Sequence, residues 1–161
     1  MDHLDEQQYE KRSRAGLIPY MRGENGEPVF LMMVSSNPKF GGPRPMLSKG
    51  KIEMGEDALE CAIREAEEEL GLSRFNMIGD PKFLTEERVV LRSGAYHLTV
   101  YTVEIRDRWD FGKWCDETEY TVWLTRNEFK EQGRRDHVKY VEMLYDSLVD
   151  RRCDETANFE A

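Results

Sequence analysis

Two apolar stretches, Leu17 to Arg22 and Val29 to Ser36, flank the polar turn GENGEP, and this pattern around a Gly/Asn/Pro cluster predicts a β-hairpin. The loop GGPRP follows, then a short extended piece over Met46 to Ile52. From residue 58 the period changes. Leu59, Ala62, Ile63, Ala66 and Leu70 fall on one helical face, Asp57 stands as N-cap with Glu60 three residues on, and Gly71 takes the place of a terminating glycine. The spacing predicts a helix over Ala58 to Leu70. Strands are then expected at Leu84 to Leu91, at Tyr96 to Ile105 beyond a turn at residues 92–94, and at Glu119 to Leu124. Over Asp136 to Arg151, Val138, Val141, Leu144 and Leu148 recur at helical spacing and predict an amphipathic helix lying on the sheet. Strands, helix, strands, helix is the order of a mixed sheet covered on both faces, an α/β domain over residues 15–152 between loose polar tails at 1–14 and 153–161.

Composition narrows this little but excludes much. A chain of 161 residues with 39% hydrophobic and 34% charged residues suits one globular domain with a core of its own. Neither a signal peptide nor a membrane span is evident, so a soluble cytoplasmic protein is expected. Cys61, Cys115 and Cys153 are widely spaced, support neither a disulfide framework nor a zinc site, and read as free thiols. A net charge of −9 disfavours non-specific nucleic-acid binding. Yet residues 37–52 hold no acidic residue and contain Lys39, Arg44, Lys49 and Lys51. A basic island directly before a Glu-rich helix suggests a place where anion and metal meet.

On the helical wheel Glu65, Glu68 and Glu69 share an arc beside the apolar face, and the small Ala58 and Cys61 point along it. Glu60, Glu67 and Arg64 lie further round. Like charges at this spacing repel, and near a helix C-terminus they oppose the macrodipole, so a compensating partner is called for. Divalent cations bound through carboxylates and substrate phosphates would supply it, whereas a solvated acidic face would need none.

The residues Gly50, Glu56 and Arg64-Glu65-Ala66-Glu67-Glu68-Glu69-Leu70-Gly71-Leu72 resemble the Nudix hydrolase signature G-x5-E-x7-R-E-U-x-E-E-x-G-U, where U is bulky and aliphatic. Every charged and glycine position fits, and Ala66 is the one departure, on the core side. The resemblance implies an α/β/α sandwich whose loop-helix-loop binds Mg²⁺ or Mn²⁺ and hydrolyses the pyrophosphate bond of a nucleoside diphosphate linked to another moiety. It implies Glu65, Glu68 and Glu69 as metal ligands, one of them also orienting the attacking water, with the Gly50 carbonyl as a further ligand. Arg64 and Glu56 would hold loop and helix by ion pairing. No triad-like spacing joins Ser48 or the histidines, which read as structural or surface residues.

Outside this segment the signals are weaker. "WCDETEYTVW" resembles a segment of diadenosine polyphosphate hydrolases and makes Glu117 the candidate for a further carboxylate, with Asp116 and Glu119 as competitors. Lys49, Lys51 and Arg44 are candidates for contact with substrate phosphates, although the two lysines could instead balance the acidic helix. Tyr20, Phe40, Tyr96 and Trp114 could stack on a base or belong to the core. "LSKGKIEMGED" with "ECAIRE" resembles both diadenosine or diphosphoinositol polyphosphate hydrolases and mRNA-decapping Nudix proteins, with Ser48 in place of proline. A dinucleoside polyphosphate is therefore the first expected substrate. A capped or triphosphorylated RNA 5′ end comes second, and ADP-ribose or a nucleotide sugar follows. A nucleotide-binding module without catalysis is the reading from another class.

Overall fold

The computed structural model describes residues 13–37, 39, 43–92, 94–107 and 115–160, the last ten of these by their backbone alone. Phe40 and Trp114 lie outside the described residues. Six strands form one sheet: β1 (Arg14–Arg22), β2 (Pro28–Ser35), β3 (Ser48–Lys51), β4 (Met77–Leu91), β5 (Gly94–Ile105) and β6 (Thr118–Thr125). Their order is β4-β5-β1-β2-β6, with β3 paired to β1 off this path. The sheet is mixed, because β1 runs parallel to β5 while β1–β2, β1–β3, β2–β6 and β4–β5 are antiparallel.

Helix α1 (Ala58–Leu70) covers one face of the sheet, packing Ala62, Ala66 and Leu70 on Leu17, Leu31 and Val103. Helices α2 (Arg126–Gln132) and α3 (Val138–Glu160) cover the other, where Phe129, Tyr140, Val141 and Leu144 meet Ile18, Phe30, Met32 and Val100. Strand alternation divides the two cores: in β2, Leu31 and Met33 face α1 while Phe30 and Met32 face α3. This is the α/β/α sandwich expected.

Both ends of α1 are capped as the sequence predicts. Asp57 accepts the Glu60 N–H at 2.8 Å, and Gly71 at φ 72° ends the helix, with the Leu72 N–H reaching the Ala66 carbonyl at 3.3 Å. β1 starts at Arg14, three residues before the predicted Leu17 and within the expected tail, and larger differences follow. β4 starts seven residues before the predicted Leu84, with register shifts against β5 at Ile78/Lys82 and Phe83/Thr85. Its early half carries Gly79 and Pro81, residues that read as a break but sit here at the bulged edge of the sheet. The short α2, capped reciprocally by Thr125 and Glu128, was missed because seven residues hold too little periodicity. The last helix starts at Val138, after a 3₁₀ turn over Arg135–His137, and runs past the predicted Arg151 to Glu160. Among the described residues no helix is long and apolar enough to cross a membrane.

Candidate active site

The site is built where β3 passes along α1. Gly50 has a packing reason to be glycine: a Cβ there would lie 2.0 Å from Glu65 Oε1. The strand can therefore press against the helix, and Cys61 fills the space beside it, its Sγ within 3.5 Å of the Gly50 carbonyl and 3.4 Å of the Lys51 carbonyl. Burial pushes the Cys61 thiol up to about 12. The wheel placed Cys61 on the carboxylate arc, beside space for ions. In the structure it belongs to the α1 core, and the buried stripe runs through Cys61, Ala62, Ile63, Glu65, Ala66, Glu69 and Leu70, leaving Leu59 half-buried. The close approach of Gly50 rotates the helix toward its carboxylate side.

The three carboxylates consequently part company. Glu65 and Glu69 turn inward, at 9% and 6% exposure, while the Glu68 side chain is 56% exposed. Among the described residues no group of three His, Cys, Asp or Glu side chains converges on a point fit for a metal ion. This corrects the convergence drawn from the wheel. Arg64 stands between two of the three carboxylates. Its Nη1 lies 2.9 Å from Glu65 Oε1 and 3.3 Å from Glu68 Oε2, so one cation stands between the two carboxylates. The same guanidinium grips Glu56 through Nε at 2.8 Å and Nη2 at 3.0 Å, and Nη2 donates to the Lys51 carbonyl at 3.0 Å. The hydrogen bonds from Arg64 hold the Glu56 carboxyl below its usual range. The expected tie of loop to helix through Arg64 and Glu56 is thus present in the geometry.

Glu69 is fixed from β3. Its Oε1 accepts the Ser48 hydroxyl and the Lys49 N–H, both at 3.0 Å. Burial, reinforced by the nearby Glu65, nevertheless pushes its carboxyl up to about 8; Glu65 is raised too, chiefly by burial. Glu117, exposed in the turn before β6, lies close enough for its charge to raise both. Its anchor is one that sequence reasoning missed: the buried Thr118 hydroxyl donates to the Glu69 carbonyl at 2.9 Å, tying this turn to the end of α1. Ser48 was likewise read as a structural or surface residue without a tie to the acidic cluster. No local motif marks either residue, since both act across the fold.

The basic candidates separate. Lys51 and Arg44 are exposed. Lys49 follows Leu47 on the α3 side of β3, opposite Gly50, and its amine lies 5.8 Å from the Tyr96 ring centroid. Burial, with Arg14 and Arg134 close by, lowers that amine to about 8. Tyr20 and Tyr96, weighed as base-stacking residues, are both buried in the α3-side core. Cys61 and Cys115 are free thiols.

Comparison with known proteins agrees with this arrangement. The NUDIX domain family model matches residues 11–144. "Nudix hydrolase 16, mitochondrial" of Arabidopsis thaliana is 29% identical over 163 residues, covering 92% of this chain and 84% of that protein. A C. elegans Ap4A hydrolase binary complex superposes with a TM-score of 0.72 at 17% identity, over 86% of this chain and 98% of that one. The NUDIX domain of Shewanella oneidensis NrtR, complexed with ADP ribose, gives 0.72 at 14% identity over 86% and 88%. With the signature, the sandwich and the family match in agreement, the chain belongs to the Nudix family and is a hydrolase of that family.

Proposed function

We propose that this chain is a metal-dependent pyrophosphohydrolase that cleaves a nucleoside diphosphate linked to another moiety, with dinucleoside polyphosphates as its preferred class. The observation that carries the reading is the pair of buried carboxyls, Glu65 and Glu69, raised by burial and crowding where α1 packs on β3. Carboxylate and carbonyl oxygens are the donors that suit a hard divalent cation such as Mg²⁺ or Mn²⁺. Glu65, Glu68, Glu69 and the Gly50 carbonyl would hold it. When bound, the cation would lower the pKa of water and neutralise charge on the phosphates as the bond breaks.

The remaining roles fall to the chain's own groups. Arg64 and Glu56 keep β3 and α1 in register, and Ser48 with the Lys49 N–H orients Glu69. Glu117 stands on a turn tied to Glu69 through Thr118, where it can take a proton from the attacking water or serve as a further ligand. Lys51 and Arg44, exposed on the basic segment, meet the substrate's phosphates from solvent.

The test is phosphate release against diadenosine tetraphosphate, ADP-ribose and a triphosphorylated RNA 5′ end, with and without Mg²⁺. Glu68→Gln should remove nearly all turnover while circular dichroism stays unchanged, because the exposed Glu68 carries little of the fold. Glu67→Gln, exposed on the same helix, should be almost silent. Glu117→Gln should lower kcat more than it raises KM, and by more than Asp116→Asn or Glu119→Gln. Activity that survives chelation, or full activity in Glu68→Gln, rules out the metal role. Faster turnover of ADP-ribose reverses the substrate order.

A further inference from the structure

Strand β4 ends the sheet on one side, so among the described residues no strand lies beyond its outer row of backbone N–H and C=O groups. The two halves of that edge differ. Over residues 77–84 it is broken by two register shifts and by Gly79 and Pro81, devices that keep one sheet from growing onto another. From Thr85 to Leu91 the pairing with β5 runs residue for residue down to Gly94, and no proline interrupts it.

Alternation shows which side chains this half presents. Leu98 and Val100 of β5 face α3, so Thr99, His97 and Ala95 face the α1 side. Their partners Glu86, Arg88 and Val90 stand beside them, and Phe83 packs edge-on against Tyr101 across the bulge. Helix α1 does not reach this far: among the described residues its core takes Met77 from β4 and nothing beyond. Phe83 and Val90 are left 61% and 68% exposed. Between them stand one acid and one base, Glu86 and Arg88, both exposed, with Glu86 3.3 Å from His97 Nδ1. The row Phe83, Glu86, Arg88, Val90 is thus apolar, acidic, basic, apolar, and it is complementary to its own reverse.

We propose that two copies of this chain pair antiparallel along this half of β4, about a twofold axis at Glu87, joining their sheets into one. In that register Glu86 stands opposite Arg88 of the second copy, and by symmetry Arg88 stands opposite its Glu86. Phe83 and Val90 of different copies meet at both ends of the contact. Centring the pair on Glu86 or Arg88 would set like charges face to face, and centring it nearer Pro81 would run through the bulges. Glu87 meets its own copy at the axis, where Lys139 and the Tyr140 hydroxyl already hold its charge. A twofold contact closes on itself, so the edge is used up instead of being left open to further chains. β4 lies at the opposite end of the sheet from β6 and the Glu117 turn, and the inference stands apart from the pyrophosphohydrolase reading.

Sedimentation equilibrium of the full chain over a concentration series, in metal-free buffer, should show a monomer–dimer equilibrium. Glu86→Arg sets a second arginine against Arg88, and Arg88→Glu sets a second glutamate against Glu86, so each alone should raise the dissociation constant about tenfold or more. The double exchange should restore it. An equimolar mixture of the two single variants should form a mixed dimer, in which every facing pair is opposite in sign. Both side chains are exposed, so circular dichroism should be unchanged; if one single variant does not fold, the other and the double exchange decide. A chain that stays monomeric at every concentration overturns the proposal, as does a dimer that neither single variant weakens. A dimer weakened by the single variants yet restored neither by the exchange nor by mixing overturns it too, because Glu86 and Arg88 then do not face each other.

Discussion

Arg64 reaches Glu56, Glu65, Glu68 and the Lys51 carbonyl with one guanidinium. A planar fork of fixed donors can meet acceptors on several sides at once; an ammonium cannot. Hydrogen bonding to Glu56 is also the main reason its own pKa is raised further. Arg64→Lys should therefore destabilise the metal-free chain by about 1.5–3 kcal/mol, the usual range for a hydrogen bond to a charged group. Urea denaturation measures it. Glu56→Gln should cost a similar amount, and the double variant clearly less than the sum, because both remove one interaction. Additive losses would mean that Arg64 and Glu56 stabilise separate parts of the loop.

Between elements, the close contact of β3 with α1 decides where the carboxylates point. Gly50→Ala places a methyl on Glu65, and the side chain, being the flexible partner, must swing away. Turnover should fall about a hundredfold, as a misplacement of about 1 Å can do, with only a small shift in Tm. An active Gly50→Ala variant would show that the Glu65 position is not critical. This contact also marks the limit of what the sequence displayed. Helix α1 was legible because caps, period and signature are all local to residues 50–72. The direction of its carboxylates was not, since a wheel places Cys61 and Glu65 without knowing that a glycine strand will draw that side inward. Five of the strands were found where apolar and β-branched residues cluster, whereas the first half of β4 was hidden by Gly79 and Pro81. The ties of Thr118 and Ser48 to Glu69 were not legible because the partners are distant in sequence: Thr118 reaches Glu69 across 49 residues.

At the scale of the molecule, the sandwich places acid on one face of the sheet and base on the other, and a buried histidine lies under the basic face. His137 is 2% exposed, and its Nδ1 is placed to accept the Leu47 N–H at 3.4 Å, a contact that requires the nitrogen without a proton. Burial first, then the charges of Arg134, Lys49 and Lys139, hold its pKa well below the usual histidine range, and Asp136 only partly opposes them. The sign follows from linkage. In the folded chain His137 stays neutral as pH falls, while in the unfolded chain it takes up a proton below about 6.5, so acid favours unfolding. Its contribution is complete above about pH 6.5 and declines by about 1.4 kcal/mol per pH unit below it, until the folded pKa is reached. Glu69 acts in the opposite sense: its raised pKa makes stability fall as pH rises from the unfolded carboxyl value toward about 8. The slopes of His137 and Glu69 oppose each other over mildly acidic pH in the metal-free chain, and the raised Glu65 adds to that of Glu69. His137→Gln removes one of them, and its stability should then rise as pH is lowered from 6.5 to 5, measured by urea denaturation at each pH. A variant profile parallel to that of the parent chain would mean that His137 takes up its proton in the folded state as readily as in the unfolded one.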